Sequence, residues 1–351
     1  MDNLTPDRPK QSNWRLFLTA ATFIALIILI YSLRSQIAEV IRDLGKVNVL
    51  ALLLIIPLKV INFDAYARLY RNLFSILGSK VEYWPLYRVS LELNFVNSIL
   101  PSGGVSGISY FGLRMRSEGV SAAKATLAQF TKLLLLLVSY QPLLIAGVFF
   151  LAVRDHVNDL VLVTVTSLIT LLIIGTMLGL YVIESRQRIN AFLTFITKAL
   201  NWLIHIVRPR YPETISIKRA QFAFGELHDN SQIYKKNWRA LKMPFWHTTV
   251  ANLTEIAALY MVYVAFGSYV NIGAVILAYA VANFAGLISV LPAGIGIYEA
   301  LMAGVLVASG VPAELSIPVT IMFRLITMLI QLPPGYYFYQ RSVQAGKAKV
   351  T

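Results

Sequence analysis

Five charged side chains sit inside apolar stretches of this chain: Lys59, Lys132 and Arg324, with Glu255 and Glu299. An ionised group at mid-bilayer costs about 2.5–3.5 kcal/mol, so each should have a partner, water or a ligand. Glu299 and Arg324 can pair, either locking the last two helices together or contacting a lipid headgroup. For Glu255 the plausible partners are Lys132 and Arg324, and a clamp between helices is the preferred reading. Lys132 shares a helix face with Gln129 at i, i+3. Lys59 is expected to snorkel.

Glu299 closes a second unusual pattern, Leu291-Pro292-Ala293-Gly294-Ile295-Gly296-Ile297-Tyr298-Glu299. Pro292 removes a backbone donor, and Gly294 and Gly296 loosen the helix. Leu100-Pro101-Ser102-Gly103-Gly104 stands 191 residues earlier, again inside an apolar run. At each break one helix ends and another begins. The new helix offers free N–H groups and a positive dipole end, and the glycines admit a ligand to the backbone. That chemistry suits an anion such as a phospholipid phosphate, although a packing kink accounts for the same residues. Glu92, Asn94 and Asn283, ahead of the breaks, either line a cavity or cap the half-helices.

These residues need a membrane scaffold to position them. The 351 residues are 57% hydrophobic with mean hydropathy +0.65 and only 14% charged, which places the chain among multi-span membrane proteins. A polar tail (1–15) precedes a first half (16–183) with a broken hairpin near 86–113. A basic segment (184–242) leads to a second half (243–340) with a broken hairpin near 272–309, and a tail (341–351) follows. Leu16–Leu33 reads as a retained helix, because no small-residue cleavage site follows it. Further spans are expected at 47–64, 122–153, 160–183, 244–266 and 315–339. Leu86–Leu100 and Val105–Leu113 are too short to cross. Irregular backbone at that depth is tolerated only when shielded by protein or lining a wet cavity. Residues 189–207 carry apolar positions at helical spacing with basic flanks, the pattern of an amphipathic helix on the membrane surface.

Net charge is +14, and the basic residues lie between apolar segments. They report topology and anionic headgroups, not nucleic acid. With the N-terminus in the cytoplasm and each hairpin returning to its own side, 24 of the 31 basic residues face the cytoplasm and four the opposite side. This positive-inside split predicts a multi-pass protein of the cell (inner or plasma) membrane with both termini cytoplasmic.

A shift of 191 residues aligns Pro101 with Pro292, Gly103 with Gly294, Gly119-Val120 with Gly310-Val311 and Pro142 with Pro333. Three spans separate the hairpins, so the second copy is upside down relative to the first. The predicted fold is therefore an all-α integral membrane protein, a polytopic helical bundle with an inverted repeat and two broken or re-entrant helix hairpins. That architecture belongs to transporters.

The chain has no cysteine and four histidines without ligand spacing, so no metal site is expected. No P-loop is present and no cofactor is expected. Serines near the breaks lack a base placed with them by sequence, so no catalytic residue is assigned and the chain is read as not an enzyme. The expected partners are membrane phospholipids, anionic by the charge balance. A homo-oligomer and a lipid-modifying partner enzyme both stay open.

Two blocks carry a family resemblance: NSILPSGGVSGISYFGLRMRSEGVSAAKATLAQF, and the second-half block from ANFAGLISVLPAGIGIYEALMAG to MFRLITMLIQLPPG. They resemble the flippase-like membrane domain of the lysylphosphatidylglycerol synthetases and its stand-alone relatives, over most of residues 10–340. Pro292, Gly294, Gly296, Glu299 and Arg324 match the second motif, and Pro101, Gly103, Gly104 and Arg114 match the first. At Ile108 the chain departs from the family, where an acid is common, so the resemblance supplies no acid for Arg114. It implies translocation of a phospholipid or an aminoacylated or glycosylated lipid between leaflets. Synthetases carry an aminoacyl-transferase domain after the membrane part, and the sequence ends at Thr351, so translocation and not synthesis is the expectation. The alternatives are a membrane enzyme acting on a headgroup and a non-transporting scaffold for a lipid-modifying enzyme.

Overall fold

The structure, a computed structural model, describes residues 31, 33–45, 47–99, 105–154, 159–185, 187–191, 194–195, 229–288 and 296–348. The expected first span, the 1–15 tail and most of the basic segment, including 196–207, lie outside these residues.

The described chain is helical. In order come α1 (Arg34–Leu44), α2 (Val49–Leu53), α3 (Ile55–Ile76), α4 (Tyr83–Ile99), α5 (Val105–Arg116), α6 (Ala122–Arg154) and α7 (Asp159–Ile183). A helical stretch at 229–236 and a 3-10 turn (Trp238–Leu241) lead into α8 (Lys242–Ala265). Then follow α9 (Ile272–Ile288), α10 (Ile297–Ala308) and α11 (Ala313–Ala348). Five helices among the described residues are long and apolar enough to cross a membrane: 49–76, 122–153, 159–182, 238–265 and 313–344. The chain is thus an all-α polytopic membrane protein.

Several helices outrun the apolar stretches that announce them. The span expected at 47–64 continues to Ile76, so Arg68 and Arg71 ride on its last turns and not in a loop. Pro57 sits in the first turn of α3, where its missing N–H would have had no helical partner. The last span, expected at 315–339, runs unbroken through Pro318, Pro333 and Pro334 to Ala348.

The two halves use the same parts. Each has a long helix (α3, α8), a 17-residue helix (α4, α9), a 12-residue helix (α5, α10) and a second long helix (α6, α11). The turns match as well. Gly119 and Gly310 have φ of 78° and 88°, a region that favours glycine. Val120 donates to the Met115 carbonyl and Val311 to the Leu306 carbonyl, both at 3.0 Å, giving the same helix-ending loop. Gly78 and Gly267 close α3 and α8 in the same way, through Ser79 to Phe74 and Ser268 to Tyr263.

The halves interlock. At the centre α3 and α8 run antiparallel: Asn48 N–H donates to the Ala265 carbonyl at 2.8 Å, and Asn62 Nδ2 donates to the Ala251 carbonyl at 2.8 Å. α4 packs on α11 of the other half, and α9 on α6. Glycines permit both approaches. A Cβ on Gly335 would stand 2.7 Å from the Leu91 carbonyl oxygen, and one on Gly147 would stand 2.8 Å from Leu277 Cδ2. Lipid is as apolar as a leucine-rich core, so such close packing and internal hydrogen bonds hold the helices together. By contrast α7 exposes Leu160, Val163, Leu171, Ile174, Met177 and Leu178, as a lipid-facing helix should.

Beyond the bundle, Tyr234 of the 229–236 stretch is buried and donates to the Leu73 carbonyl at 3.1 Å. Lys235 Nζ lies 2.9 Å from Glu184, and this contact with the nearby Arg188 holds the Glu184 carboxyl below its usual range.

Candidate functional site

Lys59 lies ten residues along the span that starts at Val49, about 15 Å from that end by helical rise. Its ammonium is buried and meets Glu255 of α8 at 2.6 Å and 2.7 Å. Both expectations for these residues are thereby corrected. Lys59 does not snorkel, because the antiparallel α3–α8 seam sets a carboxylate directly opposite it. Glu255 takes neither Lys132 nor Arg324 as its salt-bridge partner.

On the next face, Phe323 of α11 lies under the Lys59 ammonium, 5.6 Å from ring centroid to nitrogen. Its neighbour Arg324 is buried, with its guanidinium 3.3 Å from Glu299 of α10 and 4.6 Å from the Tyr298 ring. Phe323 and Arg324 thus join the two ion pairs into one polar layer.

Glu299 has a second task. Its Oε2 accepts the Gly296 N–H at 2.6 Å, closing the start of α10 from the third helical position. Gly296 precedes the helix with φ of 88°. The spacing G-x-x-E carries this capping signal in the sequence, beside the signal of an acid inside an apolar run. Pro292 and Gly294 lie outside the described residues, as do Pro101, Gly103 and Gly104, so the break geometry starts at Gly296 on one side and at Val105 on the other.

Lys132 of α6 faces α3 about two turns further along, beside Tyr66 and Tyr70. Its ammonium lies 4.7 Å from the Tyr66 ring and 5.6 Å from the Tyr70 ring. The Tyr70 hydroxyl donates to Gln129 at 3.2 Å, so Gln129 and Lys132 do share a face. Among the described residues Lys132 has no carboxylate within salt-bridge distance. The charges inside the spans are thus three cations and two acids.

Arg114 lies elsewhere, toward the end of the bundle where α4 begins and α5 and α11 finish. It finds acids that no motif announced: Glu118 at 2.6 Å and Glu92 at 3.4 Å. Glu92 is buried and accepts from the Tyr110 hydroxyl and from Ser342 Oγ, each at 2.7 Å, so it ties α4 and α5 to α11. Asn94 donates to Gln331 at 2.9 Å, and Asn283 donates to the Tyr279 carbonyl at 2.8 Å. The site residues thus fall in three places: a mid-depth layer (Glu255, Glu299, Arg324, with Lys59 added), Lys132 about two turns along α3 from it, and an outer cluster around Arg114. No group of three His, Asp or Glu residues suited to a metal exists among the described residues.

A profile of the lysylphosphatidylglycerol synthase transmembrane region matches residues 17–335. A UPF0104 membrane protein of Methanothermobacter thermautotrophicus is 34% identical over 102 residues, 29% of this chain and 30% of that protein. A UPF0104 membrane protein of Pyrococcus horikoshii is 26% identical over 188 residues, 52% of this chain and 54% of that protein. The matched stretches thus span about half or less of those relatives. The profile match covers both hairpins and every charged residue of the mid-depth layer, and this chain belongs to the lysylphosphatidylglycerol synthase transmembrane-region family.

Proposed function

We propose that the protein moves a polar lipid between leaflets and does not modify it. The observation that carries this reading is the set of charged side chains inside the spanning helices. Lys59–Glu255 and Arg324–Glu299 pair, while among the described residues Lys132 meets tyrosine rings and no carboxylate. A half-buried cation with aromatic company is costly to keep for structure alone, and in membranes such groups mark substrate pathways. Glu299 adds to this, since it caps a helix that begins inside the bundle beside the break.

The matched helix lengths and turns of the two halves support an inverted repeat. In that arrangement the two breaks approach from opposite leaflets. A headgroup would pass along the layer while its tails stay in lipid.

Reconstitution in liposomes with headgroup-labelled lipid tests this. Wild-type protein should exchange lipid between leaflets without chemical product. Glu299→Gln keeps an oxygen to cap α10 but removes the charge facing Arg324. Exchange should fall about tenfold or more, the loss of one charge-assisted contact in transit. Headgroup conversion without exchange would overturn the proposal in favour of an enzyme. Neither activity, with a lipid-modifying enzyme retained on the protein, would favour a scaffold.

A further inference from the structure

A cleft of about 920 Å³ opens between the start of α4, the end of α5 and the last turns of α11. Its walls include Arg88, Arg114, Arg341, Leu113 and Phe338. Its volume falls in the range of small-ligand sites. The acids of the cleft are already engaged: Glu92 with Tyr110, Ser342 and Arg114, and Glu118 with Arg114. The other two arginines lack such partners among the described residues. Arg88 lies 5.7 Å from the Phe338 ring and Arg341 lies 5.3 Å from the Tyr337 ring, both with exposed side chains. Three guanidiniums from three helices therefore converge on one opening, two of them held only by aromatic faces.

We infer that this cleft is a docking site for the phosphodiester headgroup of an anionic phospholipid. Guanidinium forks match phosphate oxygens bidentately, and arginines resting on rings are positioned without being neutralised. The lipid, in preference to a free phosphate, follows from the rim. Leu113 of the cleft wall is 67% exposed, apolar surface suited to a glycerol backbone and the first methylenes of a tail. Further basic residues sit at this same end, Arg71 on the last turns of α3, Arg116 at the end of α5, and Lys80 and Lys124 in and beside the loop after α3. The site would draw anionic lipid from the leaflet on that side. This rests on the translocation reading and adds its point of loading.

The test uses full-length protein in nanodiscs of equal phosphatidylglycerol and phosphatidylcholine. Lipid retained after detergent exchange is counted by mass spectrometry. Wild-type protein should retain phosphatidylglycerol preferentially. Arg88→Gln with Arg341→Gln should lower that retention about tenfold and leave phosphatidylcholine unchanged. Arg71→Gln with Lys80→Gln, basic residues outside the cleft, should change nothing. Equal retention by the cleft variant, or equal loss in the control pair, overturns the site. Displacement by millimolar inorganic phosphate would assign the cleft to soluble phosphate and overturn the lipid assignment. Leaflet exchange is measured separately. Arginine-dependent retention without any wild-type exchange would sink translocation and leave the cleft standing, whereas exchange with arginine-independent retention would do the reverse.

Discussion

Lys59 and Glu255 are 196 residues apart and meet at hydrogen-bond distance in the middle of the bundle. Removing one partner of such a buried pair strands the other charge. Lys59→Ala should cost about 3–5 kcal/mol, read as a lowered melting temperature in detergent. Replacing both, Lys59→Met with Glu255→Leu, should recover most of that loss. If the single variant melts like wild type, the pair is not holding the α3–α8 seam. The sequence shows which charges lie inside apolar runs, because an acid or base there stands out by type alone. It does not show who pairs with whom. Glu255 faces Lys59 and not Lys132 because α3 and α8 are antiparallel neighbours, a relation between distant segments that no local spacing records. Glu92 illustrates the same limit, since its tie to Ser342 depends on where a helix of the other half finishes.

At the level of helices, proline and glycine placement makes the breaks and the turn at Gly119 legible, and its twin at Gly310 follows by register. Helix ends are less legible. α11 reaches Ala348 although its apolar stretch stops near Tyr339, because a helix that emerges from lipid can continue on polar residues, including Arg341 and Gln344. Hydropathy reports only the buried middle. The contact between α4 and α11 is likewise hidden, since Gly335 resembles any glycine after a Pro-Pro pair until Leu91 is seen against it. Gly335→Ala places a methyl group 2.7 Å from the Leu91 carbonyl, with backbone on one side that cannot rotate away. A loss of about 1–3 kcal/mol is expected, measured by thermal unfolding. An unchanged melting temperature would mean that α4 and α11 separate without consequence.

For the whole molecule, orientation is the property most open to direct measurement. The chain has no cysteine, so single cysteines report cleanly. Lys80 and Tyr269 occupy equivalent loops after α3 and α8, and both side chains are exposed. An inverted repeat requires Lys80→Cys to react with a membrane-impermeant thiol reagent from one side only and Tyr269→Cys from the other. Labelling from the same side would make the repeat parallel and end the case for facing breaks. The interlock of the halves has a further consequence, in the order of synthesis. α4 is made early, yet the glycine that seats Leu91 and the serine that meets Glu92, 250 residues downstream, arrive only with the last helix. Until α11 enters the bilayer, α4 must wait there with its acid and one flank uncovered. The first half is therefore not a finished unit when it leaves the insertion machinery, and a chain stalled before α11 should be recognised as incomplete and degraded.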